Sequence, residues 1–445
     1  MLIHDCLQYA ARQPQKPCLV HGKRQLNYKQ FAEKVNFLAH RLASKMQKNE
    51  RVLVKLADPL DQLLYFFAVI QAGGSCILID KAVSEEFCAE LLAGHKITTY
   101  INEHFQLPEE AKEKLPDVRP EDVFLGALSS GSTGKPKVIW RDHASWLKAF
   151  VAQSQVFNIK SQDTIYLAGS LAYTANLNAC LHMLSLGGTA VIASNNKPRT
   201  WLREMAAYQV TVIFMVPAHY RILLRATDRI LPWVRSVVSG GAKMDLITAR
   251  QLRRVFPHAG IYEYYGASEL GYVTYMTLDD FEKRPQAVGK PFPGVTVTIE
   301  DGEIWVESPY LAPAYRPRAS VGDLGKLDEA GFLYILGRKQ GVINSGGIKV
   351  IPEQVAAVLN QCPGIEQAVV AGLADAIKGE RVCAWVVKSN PALKAADVLA
   401  YCRTRLQRAH CPQKIIFVEE IPLNSNGKVD WPRLRKAYRL PVRQE

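Results

Sequence analysis

Residues 51–80 read RVLVKLADPLDQLLYFFAVIQAGGSCILID. Arg51 to Leu56 and Ser75 to Asp80 are short apolar runs of strand length, and Asp61 to Gln71 between them has the length and all-round apolarity of a buried helix. Strand, helix, strand in this order is the crossover unit of a parallel sheet. The apolar run Leu63–Ile79 is broken by Gln71 and by Gly73-Gly74, so it reads as a buried helix turning into a buried strand, not as a membrane span.

Working outward, the same alternation recurs over Asp163–Ala193 and Trp201–Ser239, where Val210–Val216 and Val234–Ser239 are strand-like runs separated by helical stretches. An α/β fold is expected, with a large N-terminal domain of mostly parallel sheets flanked by helices. After Gly289 the pattern turns to short strands, Val295–Glu300 and Glu303–Glu307 about an Asp301-Gly302 turn, and predicts a β-rich subdomain. Past Gly337–Gly341 it shifts again. A helix over Pro352–Gln361, strands over Ala368–Gly372 and Val382–Val387, a helix over Ala395–Ala409 and a strand over Lys414–Glu419 predict a small α+β domain. The expected domains are 1–339 and 340–445.

A chain of 445 residues, 48% hydrophobic and 22% charged, has the composition of a globular protein of two or three folding units. The start, Met1 to Asp5, lacks the basic and apolar regions of a secretory signal. The nine cysteines, from Cys6 to Cys411, include no Cys-x-x-Cys pair. That argues against a disulfide framework and a zinc site, and for reduced packing residues in the cytoplasm. The net charge is +13, and from Lys339 onward 16 Lys and Arg face 9 Asp and Glu. A positive field suits nucleic acid, an anionic membrane or a phosphate-rich small ligand, and charge alone does not choose. Scattered Lys and Arg are more often simply a solvated surface.

The strongest local signal is Ser129-Ser130-Gly131-Ser132-Thr133-Gly134-Lys135-Pro136-Lys137, set between the apolar Val123–Leu128 and Val138–Trp140. Small hydroxyl and glycine residues offer backbone N–H groups and side-chain donors to phosphate, and two lysines add charge. The spacing is not that of a Walker A loop. Gly131 and Gly134 are too close together, and Pro136 stands where Ser or Thr follows the lysine. A mobile Ser/Gly linker would not explain paired lysines about a proline.

This loop resembles the signature of the adenylate-forming superfamily of acyl-CoA synthetases, peptide-synthetase adenylation domains and luciferases. The resemblance continues in order. Ser239-Gly240-Gly241-Ala242 resembles the adenine-side turn, and Tyr265-Gly266-Ala267-Ser268-Glu269 the aromatic-Gly-x-Thr/Ser-Glu motif. Gly322-Asp323 resembles the ribose-binding aspartate motif, and Gly337-Arg338 the arginine that follows it. Ser345-Gly346-Gly347-Ile348-Lys349 is similar to the glycine turn after the hinge, and Pro422 to Lys428 to the catalytic-lysine loop. The resemblance implies Lys428, Thr133 and Glu269 as catalytic, with Glu269 holding Mg²⁺. It implies ATP or AMP contacts from residues 129–135 and Lys137, from Gly240, Gly241 and Ala242, and from Tyr265, Gly266, Ser268, Asp323 and Arg338. It puts Tyr173, Asn176, Gly241 and Gly271 at the acyl pocket, Ser345, Gly346 and Gly347 on the coenzyme A side, and Gln340 at the hinge.

Elementary chemistry agrees with these roles. Tyr265 offers a flat ring to adenine, Asp323 an acceptor-only carboxylate to ribose hydroxyls, and Glu269 a hard oxygen donor to Mg²⁺. Lys428 is a fixed cation for the charge that builds as a carboxylate attacks the α-phosphate. Singly, a Tyr-Gly pair is packing, an Asn-Gly pair a hairpin turn and a lone Asp a cap; the ordered set is not. His143 stands where the family often has histidine and is read as structural.

The chain departs from the family in three places. It is shorter than most members before the phosphate loop, so a reduced N-terminal subdomain is expected. The hinge position holds the neutral Gln340. At the acyl-site motif, Ser170-Leu-Ala-Tyr173-Thr-Ala-Asn176 puts tyrosine where an aspartate would pair a substrate ammonium, and an unpaired buried ammonium is costly. The expected activity is therefore AMP-forming ligation of a mainly apolar acid, fatty or aryl, to coenzyme A through an acyl-AMP intermediate. A carrier-protein phosphopantetheine is the alternative acceptor. A homodimer is compatible with the resemblance; nucleic acid and a transmembrane segment are not expected. A non-catalytic nucleotide-binding regulator would have no need of Lys428, Glu269 and the loop lysines.

Overall fold

Asp58 starts the helix that the sequence predicts between the first two parallel strands. Its carboxylate accepts from the Leu60 N–H at 2.8 Å, and Pro59 takes the first helical position, where no N–H is needed. The helix runs Pro59–Gln71, and Gly73 turns the chain out of it at φ +82°. The computed structural model describes residues 2–129, 137–227, 229–375, 379–423 and 429–437. These fall into two units: residues 1–297 with 305–321 and 329–333, and residues 298–304 with 322–328 and 334–445.

The first unit holds two sheets. The smaller orders its strands Thr99–Ile101, Arg51–Val54, Ser75–Leu78, Val123–Ser129, Lys137–Asp142, parallel except for the last pair. The larger runs Lys290–Pro291, Gly271–Thr277, Gly260–Ala267, Ser236–Ser239, Val212–Met215, Thr164–Leu167, Thr189–Ile192, Pro17–His21, Arg24–Asn27. From Gly260–Ala267 to Pro17–His21 every neighbouring pair is parallel. Ser236–Ser239, Val212–Met215 and Thr189–Ile192 are buried at every position, as strands covered on both faces must be.

Chain order fixes where a crevice opens. Thr164–Leu167 leads through the helix Thr174–Ser185 to a strand on one side of it, and the next strand, Val212–Met215, lies on the other side. At such a reversal the loops leaving the carboxyl ends of the two strands part in opposite directions, and ligands bind between them.

The β-rich stretch forms a sheet in the order Thr296–Glu300, Glu303–Glu307, Asp323–Leu327, Leu333–Arg338, with Arg318–Ala319 on Glu303–Glu307. Asp301 and Gly302 turn its first hairpin with φ of 50° and 79°, the two-residue turn whose twist matches the strands. The second unit also carries Ile348–Val350, Ile343–Ser345, Gly379–Lys388 and Ile365–Asp375 in that order, with Lys414–Val418 parallel to Gly379–Lys388. Alternation along Gly379–Lys388 divides its burial. Val382, Ala384 and Val386 pack with Val355, Leu359 and Val398, while Cys383, Trp385 and Val387 pack with Val418, Ile421 and Leu434. The helix predicted to reach Ala409 stops at Arg403. The Thr404 hydroxyl bonds the Tyr401 carbonyl at 2.9 Å, and a separate 3-10 turn, Arg408–His410, follows. Among the described residues no helix is long and apolar enough to cross a membrane.

Two core histidines are held neutral. His143 opens the helix His143–Phe157, accepts from the Ile3 N–H at 3.1 Å through Nδ1 and stacks on Phe124, so its structural reading stands. His182 pairs with Ser154 Oγ at 2.8 Å and stacks on Phe150. Burial pushes both pKa values down to about 3. A folded value below the unfolded one, about 6.5, means that only the unfolded state takes up these protons as pH falls from about 6.5 toward 3. Stability is present above that window and lost through it. The melting temperature is expected to drop steadily from pH 7 to pH 5. His182→Gln, which keeps a partner for Ser154 but does not titrate, is expected to give a shallower drop in the same scan.

Candidate active site

Gly240 and Gly241 leave the buried end of Ser236–Ser239 at the crevice. Gly241 takes φ +84°, and a Cβ there would overlap the Tyr173 hydroxyl; a Cβ on Gly240 would lie 2.5 Å from Cε1 of Tyr264. The predicted turn thus sits directly against Tyr173, the predicted acyl-pocket residue. Tyr173 caps the helix Thr174–Ser185 at the crevice, and burial raises its phenol pKa. Asn176, also expected at the acyl pocket, is buried in the same helix's first turn. Its Nδ2 donates to the carbonyls of Ala168 (3.3 Å) and Ser170 (3.0 Å), so it shapes the loop.

Gly260–Ala267 and Gly271–Thr277 pair antiparallel, with the register shifting between Tyr265 and Gly266. The turn between them carries Ser268 and Glu269. It closes tightly: a Cβ on Gly266 would overlap the Gly271 carbonyl, and Gly271, at φ +72°, has no room for a Cβ beside Tyr310. Arg141 locks this turn from the neighbouring sheet. Its guanidinium, 2% exposed, donates to the carbonyls of Ser268 (2.7 Å), Glu269 (3.5 Å) and Tyr310 (2.6 Å) and to Ser145 Oγ (3.2 Å). Burial lowers its pKa to about 10, still well above neutrality. Asp142, next in the strand, is buried against Arg316 at 2.6 Å and caps the following helix.

Strands Val123–Ser129 and Lys137–Asp142 pair in register at Ser129 and Lys137, so the signature loop joins two antiparallel strands, where the sequence put it. Ser130, Gly131, Ser132, Thr133, Gly134 and Lys135 lie outside the described residues. Lys137 Nζ donates to the Tyr315 hydroxyl at 2.7 Å. That bond, and beyond it the Glu269 carboxylate, raises its pKa. A lysine at the root of the loop and the glutamate of the turn therefore share one electrostatic neighbourhood. Glu269 is half-buried, and its carboxylate is the kind of oxygen ligand a hard cation takes. Among the described residues no three His, Cys, Asp or Glu cluster to hold a metal unaided. A cation at Glu269 would draw its other oxygens from phosphate and water.

In the second unit Asp323, 5% exposed, opens its strand and accepts from Arg338 Nε at 2.9 Å, so the two residues predicted for the nucleotide are joined. Glu353 lies beside this pair; burial raises its pKa while Arg338 pulls it down. Gln340 occupies the short turn Lys339–Gly341. Ser345 and Ile348 pair across a hairpin whose turn residues, Gly346 and Gly347, have φ of 64° and 86°, and Asn344 Oδ1 accepts the Gly347 N–H at 3.0 Å. Lys428 lies outside the described residues.

The family model for the AMP-binding enzyme matches residues 7–316, and that for the AMP-binding enzyme C-terminal domain matches 354–428. The chain belongs to the AMP-binding enzyme family. Among its relatives is an uncharacterized acyl–CoA ligase of Bacillus subtilis, YhfT, 29% identical with 98% of each chain covered. The fold of this AMP-binding enzyme matches o-succinylbenzoate CoA synthetase (MenE) from Bacillus subtilis in complex with its acyl-adenylate intermediate, with a TM-score of 0.86, 22% identity and 98% of each chain covered. ATP-bound MatB from Rhodopseudomonas palustris matches with a TM-score of 0.84 at 23% identity, covering 98% of this chain and 99% of that one.

Sequence reasoning missed Arg141, Tyr264, Tyr310 and Tyr315. The one available signal was the adjacent Arg141-Asp142 pair inside an otherwise apolar strand. Arg141→Met is expected to cost about 3 kcal/mol or more of stability, because it leaves buried carbonyls without donors. Chemical denaturation measures this, and a loss below about 1 kcal/mol would count against the lock.

Proposed function

We propose that this AMP-binding enzyme is an ATP-dependent acid–thiol ligase. It joins a mainly apolar carboxylic acid, fatty or aryl, to coenzyme A. The acid carboxylate attacks the α-phosphate of ATP and displaces pyrophosphate; the thiolate then attacks the acyl carbon of the acyl-AMP and displaces AMP. The observation that carries this reading is the turn bearing Glu269, which the Arg141 guanidinium clamps to the strand that starts at Lys137, so that the carboxylate acts electrostatically on that lysine. The YhfT and MenE names, one an acyl–CoA ligase and the other a CoA synthetase, support the thiol acceptor.

Each side chain has a part. Lys137 and the loop cations offset triphosphate charge, and Glu269 holds Mg²⁺, which when bound neutralises the phosphate oxygens. Tyr265 and the Gly240–Ala242 turn receive adenine, Asp323 takes the ribose hydroxyls, and Arg338 orients Asp323. Lys428 supplies the cation for adenylation. A boundary at 339–341, with rotation about Gln340, brings Lys428 to the first half-reaction and the Ser345–Gly347 turn to the second. All nine cysteines are unpaired and buried, which suits a reducing compartment such as the cytoplasm.

Pyrophosphate release across a panel of acids, followed by acyl-CoA detection, tests the reading. Transfer to a carrier protein without turnover of coenzyme A would move the acceptor, and exclusive use of an amino acid would overturn the apolar assignment. Activity is expected to require Mg²⁺, and Glu269→Gln to lower adenylation about 10²-fold while leaving the melting temperature in place; an unchanged rate removes the metal role. Lys428→Ala is expected to lose about 10²-fold or more with ATP and free acid. Supplied with acyl-AMP and coenzyme A, it should still form the thioester near the wild-type rate. Equal loss in both half-reactions refutes the rotation.

A further inference from the structure

The helices Pro198–Ala207, Pro217–Arg225 and Leu246–Val255 form one layer on the larger sheet. They follow Thr189–Ile192, Val212–Met215 and Ser236–Ser239, strands that succeed one another in a single direction across the sheet. Right-handed crossovers then put all three helices on the same face, side by side. Each buries one stripe, Trp201 and Met205, Tyr220 and Leu223, Ala249 and Leu252, and turns its other side outward. That outward side is basic. Residues 197–258 hold 11 Lys and Arg against 3 Asp and Glu, well over half of the chain's net charge of +13. Two of the acids are engaged locally, Glu204 accepting from the Tyr166 hydroxyl at 2.6 Å and Asp245 pairing with Arg221 at 3.2 Å. Arg250 pairs with Glu282 of the short helix Leu278–Lys283, while Arg203, Arg225 and Arg254 stand exposed, one from each helix of the layer.

Isoleucine stands among these arginines. Ile222, Ile230 and Ile247 are 44%, 60% and 69% exposed, three of the five large apolar side chains that the described residues of the first unit leave in water. Ile247 lies in the first turn of its helix, and Ile230 precedes Leu231, whose N–H bonds the carbonyl of Val255 at that helix's other end, so apolar groups reach across the layer. An ordinary solvated surface intersperses both signs of charge and exposes few isoleucines. Nucleic acid would meet the arginines but leave the isoleucines in water, and the aromatic rings of the three helices, Trp201 and Tyr220, are buried, where they cannot stack on bases. A bilayer takes both kinds of group: lipid phosphates pair with guanidinium forks, and isoleucine enters the boundary of the acyl chains. We propose that this three-helix face docks on a membrane rich in acidic phospholipid. The docking is peripheral, and it stands apart from the ligase reading, since none of these arginines or isoleucines belongs to the crevice.

Flotation of the full chain with extruded vesicles tests it. The protein is expected to float with vesicles of phosphatidylglycerol and phosphatidylcholine in equal parts, less so as salt is added, and to bind phosphatidylcholine alone at least about tenfold more weakly. Arg203→Glu, Arg225→Glu and Arg254→Glu together should weaken binding to the acidic vesicles about a hundredfold or more. Ile222→Ser with Ile247→Ser should weaken it about tenfold, a loss that persists at high salt. Arg403→Glu, Arg408→Glu and Lys414→Glu, an equal reversal of charge in the second unit, should leave it unchanged. If the first triple variant is unfolded by its melting curve, glutamine replaces glutamate at the same three positions. The proposal is overturned if the wild type does not float with the acidic vesicles, and a duplex oligonucleotide bound in their stead would assign the face to nucleic acid. It is overturned equally by undiminished binding to phosphatidylcholine alone, by wild-type binding in the folded arginine or isoleucine variant, or by an equal loss in the second-unit control.

Discussion

A single buried guanidinium joins the two sheets of the first unit where the chemistry is expected. Arg141 leaves the strand that begins at the phosphate loop and ends on three carbonyls of segments far along the chain, at Ser268, Glu269 and Tyr310. A charged group taken from water is tolerated only when donors find acceptors, and here backbone carbonyls take both terminal nitrogens without adding an opposing charge that could dissociate. The turn bearing Glu269 therefore cannot drift from the strand Lys137–Asp142 without stranding a cation. The Ala312 N–H, which also bonds the Glu269 carbonyl at 2.9 Å, and the buried Asp142–Arg316 pair tighten the same junction.

Glycine and tyrosine are used as complementary shapes on the other side of the crevice. Gly240 and Gly241 give up side chains so that rings can reach the backbone, and the aromatic group extends through Phe157, Phe214 and Phe292. Such rings bury large areas and interlock edge to face, which makes the wall of the crevice as rigid as the sheet behind it.

How much of this was legible in the sequence depends on the range of each signal. The strand–helix–strand rhythm of residues 51–80 is local, and so are the Gly346-Gly347 turn and the seat of the 129–137 loop between two strands, whereas the Asp58 cap went unread and the helix begins at Pro59, ahead of the expected Asp61. The α/β class and the family followed from such pieces and their order. Arg141 carries no periodic or turn signal, and its partners lie 127 and 169 residues away. Tyr264 and Tyr272 read as ordinary strand residues until the antiparallel pairing sets their rings together, with Tyr264 against Gly240. The bonds from the Asn176 amide to the Ala168 and Ser170 carbonyls were not legible either, because only the fold supplies those acceptors. The end of the helix at Arg403 was lost to a hydroxyl–carbonyl bond that helix propensity does not register.

The cysteines give the molecule a property unrelated to its chemistry. All nine are buried, and for eight of them burial raises the thiol pKa, so the reactive thiolate is scarce at neutral pH. Toward a maleimide the native fold is therefore close to blank. A cysteine placed at an exposed site such as Gln340 would stand out against that background, and a fluorophore there would report on backbone rotation without any native residue having to be removed.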